Sequence, residues 1–139
     1  MFNSIFNEYQ PINYYHDIIN NKIYYNGYII KYFCHNFKIY YKLKNVSKIL
    51  NYTNFKEALK LHVDKTDKIT VKQILKINDP KVLKLMADEK KSTIYINEFA
   101  IYNLIFKSTE PDKLKFKKCI TVVKPSIILN YQNHTNLTN

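Results

Sequence analysis

The chain has 139 residues, 46% of them apolar, which is enough for one folded domain with a single core and speaks against a disordered chain. Its formal net charge of +11 suits a polyanionic partner such as DNA or RNA. No run approaches the roughly 18 consecutive apolar residues of a membrane span, and Met1-Phe2-Asn3-Ser4-Ile5-Phe6 lacks the layout of a secretory signal. An intracellular protein without membrane contact is expected, in the cytoplasm or nucleus.

The charge has a second explanation. All 22 basic residues are lysine, tryptophan is absent, and Lys, Ile, Asn and Tyr dominate. These four types use A/T-rich codons, so codon preference accounts for the lysines as well as function does. The two cysteines, Cys34 and Cys119, have no C-x-x-C spacing and no neighbouring His pattern, so the reading is buried free thiols, with no metal and no cofactor.

Residues 1–21 read as an N-terminal arm or a short first element, 22–128 as the domain, and 129–139 as a flexible C-terminal tail. Lys22–Tyr25 and Tyr28–Cys34 flank Asn26-Gly27, a strong hairpin signal that uses the chain's one glycine. A second turn at His35-Asn36 leads to a strand at Phe37–Lys42. Val46, Ile49 and Leu50 mark a short helix ended by Asn51. Asn54-Phe55-Lys56-Glu57 reads as a capping box opening a helix over Phe55–Val63, with Phe55, Ala58, Leu59 and His62 on one face.

Farther on, Ile69–Val71 reads as a strand, and Asp79-Pro80 has the cap-then-proline pattern of a helix start. Thr93–Ile96 reads as a strand, and Asn97 caps a helix over Glu98–Lys107 with Phe99, Tyr102, Leu104, Ile105 and Phe106 mostly inward. A last helix over about Asp112–Val123 carries an apolar stripe of Phe116, Cys119, Ile120 and Val123, and Pro125 ends it. The fold class is α+β: a small antiparallel sheet with four to five short helices in one compact domain.

Two ordered blocks carry a resemblance to a known family. Asn45–Val63 reads N-V-S-K-I-L-N-Y-T-N-F-K-E-A-L-K-L-H-V, and Val46, Leu50, Tyr52, Asn54, Ala58, His62 and Val63 fall in the order and spacing of the Bro-N signature. That domain occurs in baculovirus repeated-ORF proteins, insect poxviruses, other large DNA viruses and phage antirepressors. About 35 residues later, Ile96-Asn97-Glu98, Ile101-Tyr102, Leu104-Ile105, Ser108, Pro111, Phe116 and Pro125-Ser126-Ile127 resemble its second block. Asn51 stands where the family usually has Gly, Cys119 near its usual Trp, and Ile128 where a basic residue often follows. The resemblance implies an α+β module that binds DNA, or in some members RNA, and acts on transcription, replication or host chromatin. It does not imply an enzyme.

The residues expected at a phosphate-binding face are Lys42, Lys44, Lys48, Asn54, Lys56 and Lys60 around the second block of strands and helices, and Lys113, Lys115, Lys117 and Lys118 on the last helix. Each has a plainer reading: a solvated lysine, or for Asn54 a helix cap. Lysine is a point charge without arginine's fork, so backbone contacts are expected to outweigh guanine readout. Tyr24, Tyr25, Tyr28, Tyr32, Tyr40 and Tyr41 could form a stacking platform or simply suit strands. The competing function is a protein-interaction module, with a homodimer or a host or viral protein as partner and nucleic acid incidental.

Overall fold

The computed structural model describes residues 12–137. Six antiparallel strands form one sheet: β1 (Tyr14–Asp17), β2 (Lys22–Tyr25), β3 (Tyr28–His35), β4 (Lys38–Lys42), β5 (Lys68–Thr70) and β6 (Ile94–Ile96), in the order β1-β2-β3-β4-β6-β5. Six α-helices accompany them among the described residues: α1 (Leu43–Ile49), α2 (Phe55–His62), α3 (Val71–Ile74), α4 (Pro80–Leu85), α5 (Glu98–Lys107) and α6 (Lys113–Leu137). The α+β expectation holds.

Pleat alternation divides the sheet into two faces. Ile23, Tyr25, Ile30, Tyr32, Ile39, Tyr41 and Ile96 point to one side and join Leu43, Val46, Leu50, Leu104, Phe116, Cys119 and Ile120 in the main core. Each of these large side chains, fully buried, contributes roughly 1.5–3 kcal/mol. On the other side Phe33 and Tyr95 pack with Val71, Ile74, Val82 and Met86 in a smaller core under α3 and α4. The rest of that second face, the row Tyr15–Tyr24–Ile29 across β1, β2 and β3, lies open to solvent.

Asparagine does here what glycine does elsewhere. Asn21, Asn26, Asn36, Asn51 and Asn78 all adopt positive φ, and Gly27 is the lone glycine. Asn tolerates the left-handed region because its short side chain bonds locally. Asn26-Gly27 therefore makes the expected two-residue turn between Tyr25 and Tyr28. The next turn is Asn36-Phe37, one residue later than the sequence suggested, since His35 pairs with Lys38. Phe37 accepts a φ of 62° there, and its ring sits edge-on against Tyr131, 4.9 Å between centroids.

Two stretches differ from their sequence reading. Residues 14–17, assigned to an arm or short first element, are edge strand β1, paired Tyr14↔Tyr25 through Asp17↔Lys22. The turn between them has no glycine; the Asp17 carboxylate accepts from the Asn20 backbone and side chain and shapes it instead. Residues 129–137, read as a flexible tail, continue α6, and Pro125 lies inside that helix. Proline removes the donor for the Thr121 carbonyl, a cost of about 3 kcal/mol. Burial of Ile127, the Phe37–Tyr131 contact and a 2.9 Å bond from the Asn36 N–H to the Tyr131 hydroxyl hold the helix on the sheet beyond it.

The helix starts follow local chemistry. Asn54, Asp79 and Asn97 each accept a backbone N–H of the helix they open. The reciprocal bond of a capping box occurs not at Asn54–Glu57 but at Thr70–Gln73, opening α3. In α5 the buried residues are Ala100, Ile101, Leu104 and Ile105; Phe99 and Phe106, expected inward, are 80% and 78% exposed. They occupy one line of the helix, opposite the sheet.

Candidate nucleic-acid interface

The candidate lysines fall into three environments. Lys42 ends β4 on the second face of the sheet, and its ammonium lies 3.0 Å from a Glu89 oxygen. Lys31 reaches the same carboxylate at 3.1 Å. Glu89 is 6% exposed at its side chain. Burial pushes its carboxyl pKa up, but the hydrogen bonds and charges of Lys42 and Lys31 together outweigh that and hold it below the usual value. Lys42 is therefore held internally, sharing one carboxylate with Lys31, and is withdrawn from the phosphate-binding set.

Lys113 is engaged as well. Its ammonium donates to the Phe106 and Ser108 carbonyls at 2.9 and 3.0 Å, capping the C-terminal end of α5. Ser108 in turn donates to the Leu50 carbonyl at the end of α1. These bonds bring the lysine-bearing start of α6 beside the end of α1, where Lys48 is exposed. Lys115 stands 3.9 Å from Asp112, both well exposed, a pair worth little. Lys118 is exposed on the same helix.

Lys44, Lys48, Lys56, Lys60 and Lys117 form the third group. All are exposed, and none has a carboxylate within 4 Å among the described residues. Lys44 and Lys48 are one turn apart on α1, Lys56 and Lys60 one turn apart on α2. Asn54 belongs elsewhere: its side-chain oxygen accepts from the Lys56 N–H at 3.0 Å, so the amide is used as a cap.

The tyrosines do not form the six-membered platform the sequence allowed. Tyr25, Tyr32 and Tyr41 are buried in the core, and Tyr40 stacks on Phe33. Tyr24 is exposed beside Tyr15, 6.0 Å between rings. Sequence reasoning missed Tyr15 because β1 carries no clear strand signal.

The remaining reactive groups are structural. Burial pushes the Cys34 thiol up to about 11 and the Cys119 thiol to about 12, so neither is a ready nucleophile. His16 bonds Tyr32 through Nε2 at 2.6 Å and Ser126 through Nδ1 at 3.0 Å, tying β1 to β3 and α6. His62 is half-buried beside Tyr52, and its buried Nδ1 has no partner among the described residues. Among the described residues no group of three His, Cys, Asp or Glu side chains could hold a metal ion, and no helix is long and apolar enough to cross a membrane.

Comparison with known proteins agrees with the two sequence blocks. The chain is similar to the putative Bro-N domain-containing protein 289L of Invertebrate iridescent virus 6, with 31% identity over 96 residues, 63% of this chain. The match spans 23% of that relative's length. No solved structure matches. Residues 29–135 match the BRO family, N-terminal domain, so the stretch from β3 to the last turns of α6 is that domain, and the chain belongs to the BRO family.

Proposed function

We infer that the chain is a non-enzymatic viral regulatory module that binds DNA, or RNA, chiefly through the phosphate backbone. Its place of action would be the host cytoplasm or nucleus, on transcription, replication or host chromatin. The observation that carries this reading is the set of five exposed lysines on α1, α2 and α6 without carboxylate partners. An unpaired ammonium is free to displace the counterions condensed on a polyanion, and that release drives non-specific binding. Lys115 and Lys118 add exposed positive charge along α6 beside that set.

The test is a fluorescence anisotropy titration of a labelled duplex, and of a single strand, at about 50 and 200 mM salt. Six or more phosphate contacts would lower affinity by roughly three orders of magnitude or more across that range. Absence of binding at the lower salt would refute the reading.

Phe99 and Phe106 favour a second reading. Two large aromatic side chains about 80% exposed on one helix line offer apolar surface to a partner. In that reading α5 docks a host or viral protein or a second copy of the chain. Retention of a partner after nuclease treatment, its loss on Phe99→Ser with Phe106→Ser, and its survival of Lys117→Gln would favour it over nucleic-acid binding.

A further inference from the structure

A large concavity lies away from the lysines of α1 and α2. It is a groove of about 950 Å³, with Tyr32 and Cys34 of β3 on its floor. Pro80, Lys81, Lys84 and Leu85 form the α4 wall, and Ile127 and Tyr131 form the α6 wall.

The floor is an unpaired strand edge. The β2–β3 ladder ends at Lys22↔Lys31, whereas β3 continues to His35. Beyond Lys31 only β4 pairs with β3, on the opposite side. The direction of each backbone group follows from the register. A two-residue turn closes on a hydrogen-bonded pair, so His35 and Phe33 direct their N–H and C=O toward β4. The alternation continues correctly: the Lys31 N–H turns to the β4 side and donates to Asn45, and the Tyr32 N–H turns to the β2 side and donates to the Asn21 carbonyl. The Cys34 N–H and C=O therefore face the groove, as does the Tyr32 carbonyl.

We propose that this groove binds an extended acidic peptide as an added strand on β3, its backbone pairing with Cys34 between α4 and α6. An extended segment supplies one N–H and one C=O at the spacing Cys34 requires, and its alternate side chains point to the two walls. Leu85 and the Tyr131 ring, both half-buried, offer apolar contact on opposite sides. The charge at the rim selects the partner. Lys22, Lys81 and Lys84 have no carboxylate within 4 Å among the described residues, while Lys31 is held by Glu89 and Asp79 by His35. Asp79 and Asp88 are the two acidic lining residues, and Asp79 meets a histidine ring rather than an ammonium group. Three free ammonium groups against two carboxylates favour acidic side chains on the incoming strand.

The proposal is tested with random twelve-residue peptides displayed on phage and selected on the immobilised full chain. Acidic, proline-free sequences should be enriched. The best peptide, made synthetically, should lose at least tenfold in affinity to the Lys81→Glu, Lys84→Glu protein, and as much again when its central residue is N-methylated. Its binding should slow hydrogen exchange at the Cys34 amide. Failure to enrich acidic sequences would overturn the proposal. So would an N-methylated peptide that binds equally well, a double variant with unchanged affinity, or slowing of the Cys34 amide by an oligonucleotide in place of the peptide.

Discussion

The Ser108 hydroxyl donates to the Leu50 carbonyl across 2.6 Å, in a site where Ser108 is 5% exposed. The same oxygen accepts the Glu110 N–H at 3.0 Å. One small side chain thus completes the end of α1 and shapes the corner between α5 and α6. Ser108→Ala would leave a carbonyl and an N–H without partners. We expect a loss of about 1–3 kcal/mol, read as a lowered urea midpoint with unchanged slope. Ser108→Thr, which keeps the hydroxyl, should recover part of it.

Ser47 has the opposite sign. It is 2% exposed on α1, and its hydroxyl has no partner among the described residues. Ser47→Ala removes a buried polar atom that gains nothing and improves helix propensity. Stability should rise by roughly 0.5–1.5 kcal/mol, measured by chemical denaturation. A lowered midpoint would mean that the hydroxyl is bonded in solution.

Glu89 predicts a pH dependence. Its carboxyl is held low in the folded chain by Lys42 and Lys31 against the opposing effect of burial. An unfolded glutamate titrates near pH 4.3, so the unfolded chain takes up this proton first as pH falls. The stabilisation is complete above that value and is lost as pH drops through the lower folded value. Glu89→Gln should flatten this part of the stability profile between about pH 5 and 3. At neutral pH it should cost about 1–3 kcal/mol by leaving Lys42 without its counter-charge.

The lysines separate by role. Lys48→Gln and Lys117→Gln should each lower the salt slope of nucleic-acid binding by about 1 and leave the denaturation midpoint unchanged. Lys42→Gln should do the reverse, shifting the midpoint and sparing the slope. Equal effects of all three on the slope would place Lys42 back at the interface.

Local chemistry explains which elements were legible in the sequence. Asn26-Gly27, Asn51, Asn54, Asp79 and Asn97 act within a few residues of themselves, and each does in the structure what its type favours. The stripe Phe116, Cys119, Ile120 and Val123 is likewise buried as its spacing required. The misread features depend on distant partners. Lys42 meets Glu89 from 47 positions away, and β1 exists because β2 is there to pair with it. Phe99 and Phe106 were misplaced because α5 is apolar on nearly every side, which leaves periodicity without a direction. The lysine count, so prominent in the sequence, could not separate ammonium groups with structural partners from those open to solvent.

The bond from the Asn36 N–H to the Tyr131 hydroxyl joins residues 95 positions apart. Between them lies nearly the whole domain. The left-handed Phe37 beside it is a conformation that a bulky residue holds only under restraint from its surroundings. Tyr131 supplies that restraint from the last turns of α6. Fraying of this helix end would therefore not stay local: it would release the tight turn between β3 and β4 and, with it, the strand edge that adjoins the turn. The end of the domain and its central hairpin thus belong to one cooperative unit, opening and closing together.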